Sequence, residues 1–143
     1  MRFRKVIIVA VGVIASAWVG YMARGTQQER KAPMRVFEMR TYYANPGKMD
    51  ALHARFRDHT NKLFVKHGMT LIGFWSPINA KEADEKMIYI LAFPSEEAAK
   101  KSWKAFQMDP DWIAAKKASE KDGSLVKKVE SVYLNPTDYS PIK

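Results

Sequence analysis

Apolar and polar residues alternate over residues 35–43, which predicts a first β-strand. Asn45 and Pro46 follow directly, and a cap residue with proline next to it predicts the start of a helix. This helix extends to about His67, because apolar residues recur every three to four positions and Gly68 provides a C-terminal stop. Its predicted buried stripe consists of Met49, Leu52, Phe56, Leu63 and Phe64.

Three more strands and two more helices follow from the same patterns. Residues 69–76 and 86–93 are rich in β-formers and predict a hairpin around a polar loop. Ser95 predicts the start of one helix, and Asp109 followed by Pro110 predicts the start of another. Residues 125–134 form the last predicted strand. The order β-α-β-β-α-β predicts an α+β, ferredoxin-like antiparallel sheet with helices on one face.

The bare face of this sheet predicts a homodimer. The second and third strands are apolar at nearly every position, which indicates burial on both faces. A second copy of the same sheet would cover the face that the helices leave open, and the interface would be two-fold symmetric.

The first 24 residues predict a signal peptide or a signal anchor. Basic residues at positions 2, 4 and 5 precede an apolar run at 6–23, and a polar linker at 25–33 separates this run from the domain at 34–143. Ala15-Ser16-Ala17 fits a cleavage site, whereas Trp18 and Tyr21 favour an uncleaved anchor that holds the chain in the membrane. Either alternative exports the domain across the inner membrane, to a periplasmic, extracellular or membrane-anchored location outside the cytoplasm.

The net charge of +9 overstates the basicity of the domain. Six of the 24 basic residues and one of the 15 acidic residues lie at positions 1–32, which leaves 18 against 14. The remaining lysines are scattered over predicted helix surfaces, so no nucleic-acid partner is expected. The chain has no cysteine, which excludes a disulfide framework and a thiol nucleophile.

A set of short motifs over residues 35–143 resembles the NIPSNAP family, within the dimeric α/β-barrel superfamily. The motifs are Glu38-x-Arg40-Thr41-Tyr42, Pro46-Gly47-Lys48, His59, His67-Gly68, Gly73-x-Trp75, Asp109-Pro110-Asp111-Trp112 and Pro136-Thr137-x-x-Ser140-Pro141. The resemblance implies a ferredoxin-like fold that dimerises through its sheet, and it implies no particular reaction. The mitochondrial roles of better-known relatives are not carried over, because this chain begins with a bacterial-looking export signal.

Glu38 and Arg40 are the first candidates for a functional site. They lie two residues apart in a strand, so both side chains point to the same face. In one interpretation Arg40 binds an anionic or carbonyl ligand in a pocket while Glu38 orients it. In the other, the two residues form a structural ion pair.

His59 is the second candidate. The apolar stripe places it toward the sheet, where its imidazole would act as an acid-base group or, as a minor alternative, as a haem ligand. The competing interpretation is a core histidine with a structural hydrogen bond. No other cofactor is predicted, and the three histidines do not have the spacing of a metal site.

Aromatic residues provide the remaining candidates. Trp75 and Tyr89 are candidates for the wall of an apolar pocket, and the Tyr42 hydroxyl is a candidate hydrogen-bond donor to a ligand. Trp103 and Trp112 are assigned to packing instead. Phosphate-loop and nucleophile-elbow motifs are absent from the sequence.

Three functions therefore remain open. The first is a non-catalytic homodimeric module, exported or membrane-tethered, that binds a small molecule or a protein partner. The alternative is a small-molecule enzyme, similar to the monooxygenases or isomerases of the dimeric α/β-barrel type, with a pocket between the first helix and the sheet. A structural adaptor would need only the anchor and the dimer face.

Overall fold

The computed structural model describes residues 34–143, and the predicted export signal and linker lie outside the described residues. The elements along the chain are β1 (Val36–Ala44), α1 (Met49–Arg55), a π-helical turn (Phe56–Thr60), α2 (Asn61–Lys66), β2 (Thr70–Trp75), α3 (Ala80–Ala83), β3 (Lys86–Phe93), α4 (Glu96–Gln107), α5 (Pro110–Ser119) and β4 (Val126–Leu134). Within these residues no helix is long and apolar enough to cross a membrane.

The four strands form one antiparallel sheet in the order β2-β3-β1-β4. The predicted α+β, ferredoxin-like arrangement is thereby confirmed. Because β1 is a central strand, its alternate residues face either the helices or the open side of the sheet. The strand register places Arg40 opposite Tyr89 of β3 and opposite Ser131 of β4, all on the helix side.

The core fills the space between the sheet and the helices with aromatic rings. The Phe56 ring lies 5.3 Å from that of Tyr89 and 6.1 Å from that of Phe64, and Phe74 stacks on Tyr89 at 5.4 Å. Leu52 completes this layer and is fully buried. These side chains belong to the hydrophobic core between the first helix and the sheet.

The predicted cap at Asn45 is wrong. Helix α1 begins at Met49, and the preceding residue Lys48 makes no side-chain cap. Residues 45–48 form a tight turn instead, in which Gly47 has a φ of +70° and the Lys48 amide donates to the Asn45 carbonyl. The Asn45 side chain donates to the carbonyl of Ser124, so a tertiary contact takes the place of the cap.

Two other helix starts agree with the sequence. The Ser95 hydroxyl accepts from the amide of Ala98 at the start of α4, and Asp109 accepts from the amide of Asp111 at the start of α5. Gly68 ends α2 with a φ of +77°, as predicted. The polar loop between β2 and β3 contains the short helix α3, capped by Asn79, which the sequence analysis missed.

Candidate functional site

The Glu38 carboxylate is the centre of a buried hydrogen-bond network on the helix side of β1. It accepts from the Trp103 indole at 2.5 Å, from the Ser131 hydroxyl at 2.6 Å and from Arg40 Nη1 at 3.2 Å. Its side chain is only 2% exposed. The three donors come from β1, β4 and α4, so the carboxylate ties the sheet to the helix layer. A buried charge needs such donors to offset its desolvation.

Arg40 connects this network to a cleft. Its guanidinium stacks over the Trp103 ring at 4.1 Å, and its side chain is 18% exposed. Nη1 donates to Glu38, whereas the buried Nε has no acceptor among the described residues. Between residues 34 and 143, Nη2 also makes no hydrogen bond. One edge of the guanidinium is therefore occupied and the other is not.

The cleft has a volume of about 590 Å³ and lies between β1, α4 and α5. Arg40 and Tyr42 form its floor. Its walls and rim consist of Trp103, Phe106 and Gln107 from α4 and of Trp112, Ile113, Lys116, Lys117 and Glu120 on the α5 side. The volume falls within the usual range for small-molecule sites. Trp103 and Trp112, assigned to packing from the sequence, pack against the core and also line this cleft.

Arg55 fixes one wall of the cleft and was missed in the sequence analysis. It is almost fully buried, and its Nη1 lies 2.9 Å from Glu120 and 3.3 Å from the Ser119 hydroxyl. Its guanidinium also lies 5.2 Å from the Trp112 ring. A cation at position 55, beside Leu52 and Phe56 of the apolar stripe, was the signal that would have identified it.

His59 lies elsewhere, and the prediction that it points toward the sheet is wrong. It is exposed and lines a separate groove with Asp111, Ala114 and Ala115 of α5. Trp112 and Lys116 face the Arg40 cleft from the opposite side of that helix. His59 and Arg40 therefore do not share a pocket.

A π-helical turn explains the change of face. The Asn61 amide donates to the Phe56 carbonyl, five residues back, and the turn therefore holds one residue more than an α-helical turn. Thr60 is buried in place of His59, and its hydroxyl donates to the Arg55 carbonyl. A constant α-helical period assigns the wrong residue at this point.

Tyr89 and Trp75 also lie outside the cleft lining. Tyr89 is fully buried beneath Tyr42, with their ring centroids 5.3 Å apart. Burial raises the pKa of Tyr89 well above its usual value, and the nearby Tyr42 hydroxyl adds to the shift without reaching hydrogen-bond geometry. Trp75 pairs with Ile88 on the opposite face of the sheet and is half-exposed there.

A second polar cluster joins α2 to α5. Asp109 lies 2.6 Å from the His67 ring and 2.8 Å from Lys66 Nζ. Hydrogen bonds from Lys66 and then from His67 hold the pKa of Asp109 well below its usual value. Among residues 34–143 no group of acidic, histidine or cysteine side chains is arranged to hold a metal ion.

The sheet and the helix layer define an α+β, ferredoxin-like domain. The NIPSNAP family model matches residues 37–141, and the chain therefore belongs to the NIPSNAP family. No curated protein sequence matches it.

Solved structures agree with this fold. A NIPSNAP family protein of unknown function from Agrobacterium tumefaciens has 20% identity and a TM-score of 0.66, over 78% of this chain and 96% of that one. An uncharacterized NIPSNAP domain protein from Burkholderia xenovorans has 21% identity and a TM-score of 0.62, over 74% and 98% of the two chains. The monooxygenase ActVA-Orf6 of Streptomyces coelicolor, solved with nanaomycin D, has 12% identity and a TM-score of 0.51, over 78% and 95%.

Proposed function

We propose that this protein is a non-catalytic small-molecule-binding module whose ligand occupies the cleft between β1, α4 and α5. The observation that carries the proposal is the combination of aromatic walls and a polar floor in one cavity of about 590 Å³. Trp103 and Trp112 offer flat apolar surfaces, and Arg40 and Tyr42 offer donors beneath them. Apolar walls with a few convergent polar groups are typical of ligand sites.

The position of His59 weakens the enzyme alternative. An acid-base residue must lie within hydrogen-bond reach of the reacting group. His59 was the sequence candidate for that role, but it lies on the other side of α5 from the cleft. The structural similarity to a monooxygenase concerns the fold alone and supplies no catalytic residue.

The test is mass spectrometry of small molecules that co-purify with the full-length native protein. Ile113 is half-exposed at the cleft, so Ile113→Trp fills the cavity without removing a core contact. Met108→Trp is the matched control, because Met108 is also an exposed apolar residue but does not line the cleft. We expect a co-purifying compound that Ile113→Trp loses and Met108→Trp retains. No such compound, or one that both variants retain, would contradict the proposal.

We also propose that the protein is a homodimer through the open face of the sheet. Trp75, Val132 and Leu134 are 39–49% exposed on that face, and Ile88 lies beside Trp75. Light scattering of the purified chain should give a dimer. Val132→Lys should yield a monomer, whereas Val65→Lys should remain dimeric, since Val65 is an exposed residue of α2. A wild-type monomer would refute the dimer.

Export across the inner membrane is the third part of the proposal. It rests on the basic residues at positions 2–5 and the apolar run at 6–23. A reporter joined after Lys31 should be delivered outside the cytoplasm, and changing the three basic residues to glutamine should reduce its delivery. The N-terminus of the mature product distinguishes a cleaved signal from an anchor. A reporter that stays in the cytosol with the apolar run intact would refute export.

A further inference from the structure

The free edge of Arg40 indicates which chemical class of ligand the cleft binds. A guanidinium presents Nε and Nη2 along one edge, and this pair donates two parallel hydrogen bonds to a carboxylate. In Arg40 neither atom has an acceptor within residues 34–143, while Nη1 is held by Glu38. Because Nε is buried, Nη2 is the donor of this edge that remains for an acceptor in the cleft, and a hydrogen bond between two charged groups is stronger than one between neutral groups.

The charged residues that line the cleft also favour an anionic ligand. Arg40, Lys116 and Lys117 contribute three cations, and Glu120 contributes one carboxylate. That carboxylate is already engaged by Arg55 at 2.9 Å. The lining therefore has a net positive charge, which attracts anions and raises the local concentration of an anionic ligand.

The walls define the rest of the ligand. Trp112 lines the cleft and packs on the buried Phe106 with ring centroids 4.5 Å apart, and Arg40 covers one face of the Trp103 ring. Aromatic walls favour a flat apolar body, because ring stacking adds to the burial of apolar area. Such a body would place its acidic group against the free edge of Arg40.

Building on the proposed function, we propose that the cleft binds a planar aromatic carboxylate, which accepts a hydrogen bond from Nη2 of Arg40. The ring system lies against Trp112, and Lys117 at the rim assists capture. Glu38 holds the guanidinium in place from the opposite edge. Arg40 is thus a ligand-binding residue, and Glu38 is a positioning residue.

The test uses 2-naphthoate and its methyl ester as probes in calorimetric titrations of the full-length protein. The two probes share a flat body and differ in charge and in acceptor geometry. We expect the acid to bind at least tenfold more tightly than the ester, since a charge-assisted hydrogen bond has about this effect. Arg40→Lys preserves a cation beside Glu38 but removes Nη2, the donor to the ligand. It should abolish the preference for the acid.

A rim variant keeps the test decisive if Arg40→Lys is unstable. Lys117 is exposed and makes no ion pair within residues 34–143, so Lys117→Glu should fold normally. It should weaken acid binding about two- to fivefold, the usual range for one exposed charge, and weaken ester binding less than that. Lys101→Glu is the control, because Lys101 is an exposed α4 residue that does not line the cleft.

Three results would overturn the inference. These are equal affinity for the ester and the acid, a preference for the acid that survives in Arg40→Lys, and no binding of either probe. These results leave the proposed function to be judged by the co-purification experiment, in which Ile113→Trp reports on any ligand of the cleft. A co-purifying compound without an acidic group would refute the aromatic carboxylate and retain the binding module.

Discussion

Replacing Arg40 with alanine should destabilise the domain, because the change removes a cation from a buried carboxylate. Arg40 Nη1 donates to Glu38 at 3.2 Å, and the carboxylate is 2% exposed. A hydrogen bond to a charged group contributes about 1.5–3 kcal/mol, and the stacking on Trp103 adds about 0.5–1 kcal/mol. Glu38 retains the donors Trp103 and Ser131, so the loss stays below the upper range for a stranded buried charge. We therefore expect Arg40→Ala to cost about 2–4 kcal/mol.

The assay is urea and thermal unfolding of Arg40→Ala, Glu38→Gln and the double variant. A loss of about 2 kcal/mol lowers the Tm of a domain of this size by roughly 8 °C or more. In Glu38→Gln the amide group places a donor where the carboxylate accepted, opposite Arg40 or Trp103. Without Arg40 that conflict is smaller, and the double variant should therefore be about 1–2 kcal/mol more stable than the sum of the single changes predicts.

Lys100→Ala is the matched control, because it also removes a cation from a close ion pair. Lys100 Nζ lies 2.9 Å from Glu96, which is a shorter distance than in the Arg40–Glu38 pair. Lys100 and Glu96 are, however, both exposed on α4. Exposed pairs contribute little, so its Tm should stay close to that of the wild type. If Arg40→Ala were as mild as this control, or if the two changes at Arg40 and Glu38 were additive within about 0.5 kcal/mol, the pair would not stabilise the fold.

Three further changes test separate parts of the structure by urea unfolding. Tyr89→Phe removes a buried hydroxyl without an acceptor, so the free energy of unfolding should stay the same or rise by up to about 1 kcal/mol; a larger loss would reveal an acceptor. Gly68→Ala should cost about 1 kcal/mol, because φ is +77° while the nearest atom to a new Cβ is 3.9 Å away; an unchanged midpoint would exclude backbone strain. Asp109→Asn retains the α5 cap but loses the charge that Lys66 and His67 stabilise. Because the pKa of Asp109 is lowered on folding, its contribution is complete above the unfolded pKa of about 4 and is lost as the pH falls below it. The variant should therefore be less stable than wild type at pH 7 and approach it at pH 2.5, and a constant difference would refute this assignment.

The elements that depend on local sequence were predictable. The bounds of β3 agree with the predicted residues 86–93, because a continuous apolar run lies between a polar loop and the Ser95 cap. The start of α5 is equally local, since Asp109 supplies the cap and Pro110 has no amide hydrogen to satisfy. Alternation in β1 correctly placed Glu38 and Arg40 on one face, and the structure shows them in contact.

Features that depend on tertiary contacts were not predictable in the same way. Asn45 has the chemistry of a cap, but its side chain donates to Ser124, which lies far along the chain. The π-helical turn moved His59 to the surface and left Thr60 in the core, although either residue fits an apolar stripe with a spacing of three or four. Trp103 was assigned to packing because a sequence does not show that one side of an indole contacts the core while its edge faces a cleft.

The sequence presented Arg40 as either half of a structural pair or a ligand-binding residue, and the geometry makes the two roles compatible. A guanidinium has more than one donor edge, and Glu38 engages only Nη1. Trp103 and Ser131 hold the carboxylate, the carboxylate holds the guanidinium, and Trp103 also supports its face. The orientation of Arg40 is therefore fixed before any ligand arrives, which removes the entropic cost of ordering a long side chain on binding. A pair that stabilises the fold therefore also positions Nη2 of Arg40 for a ligand in the cleft.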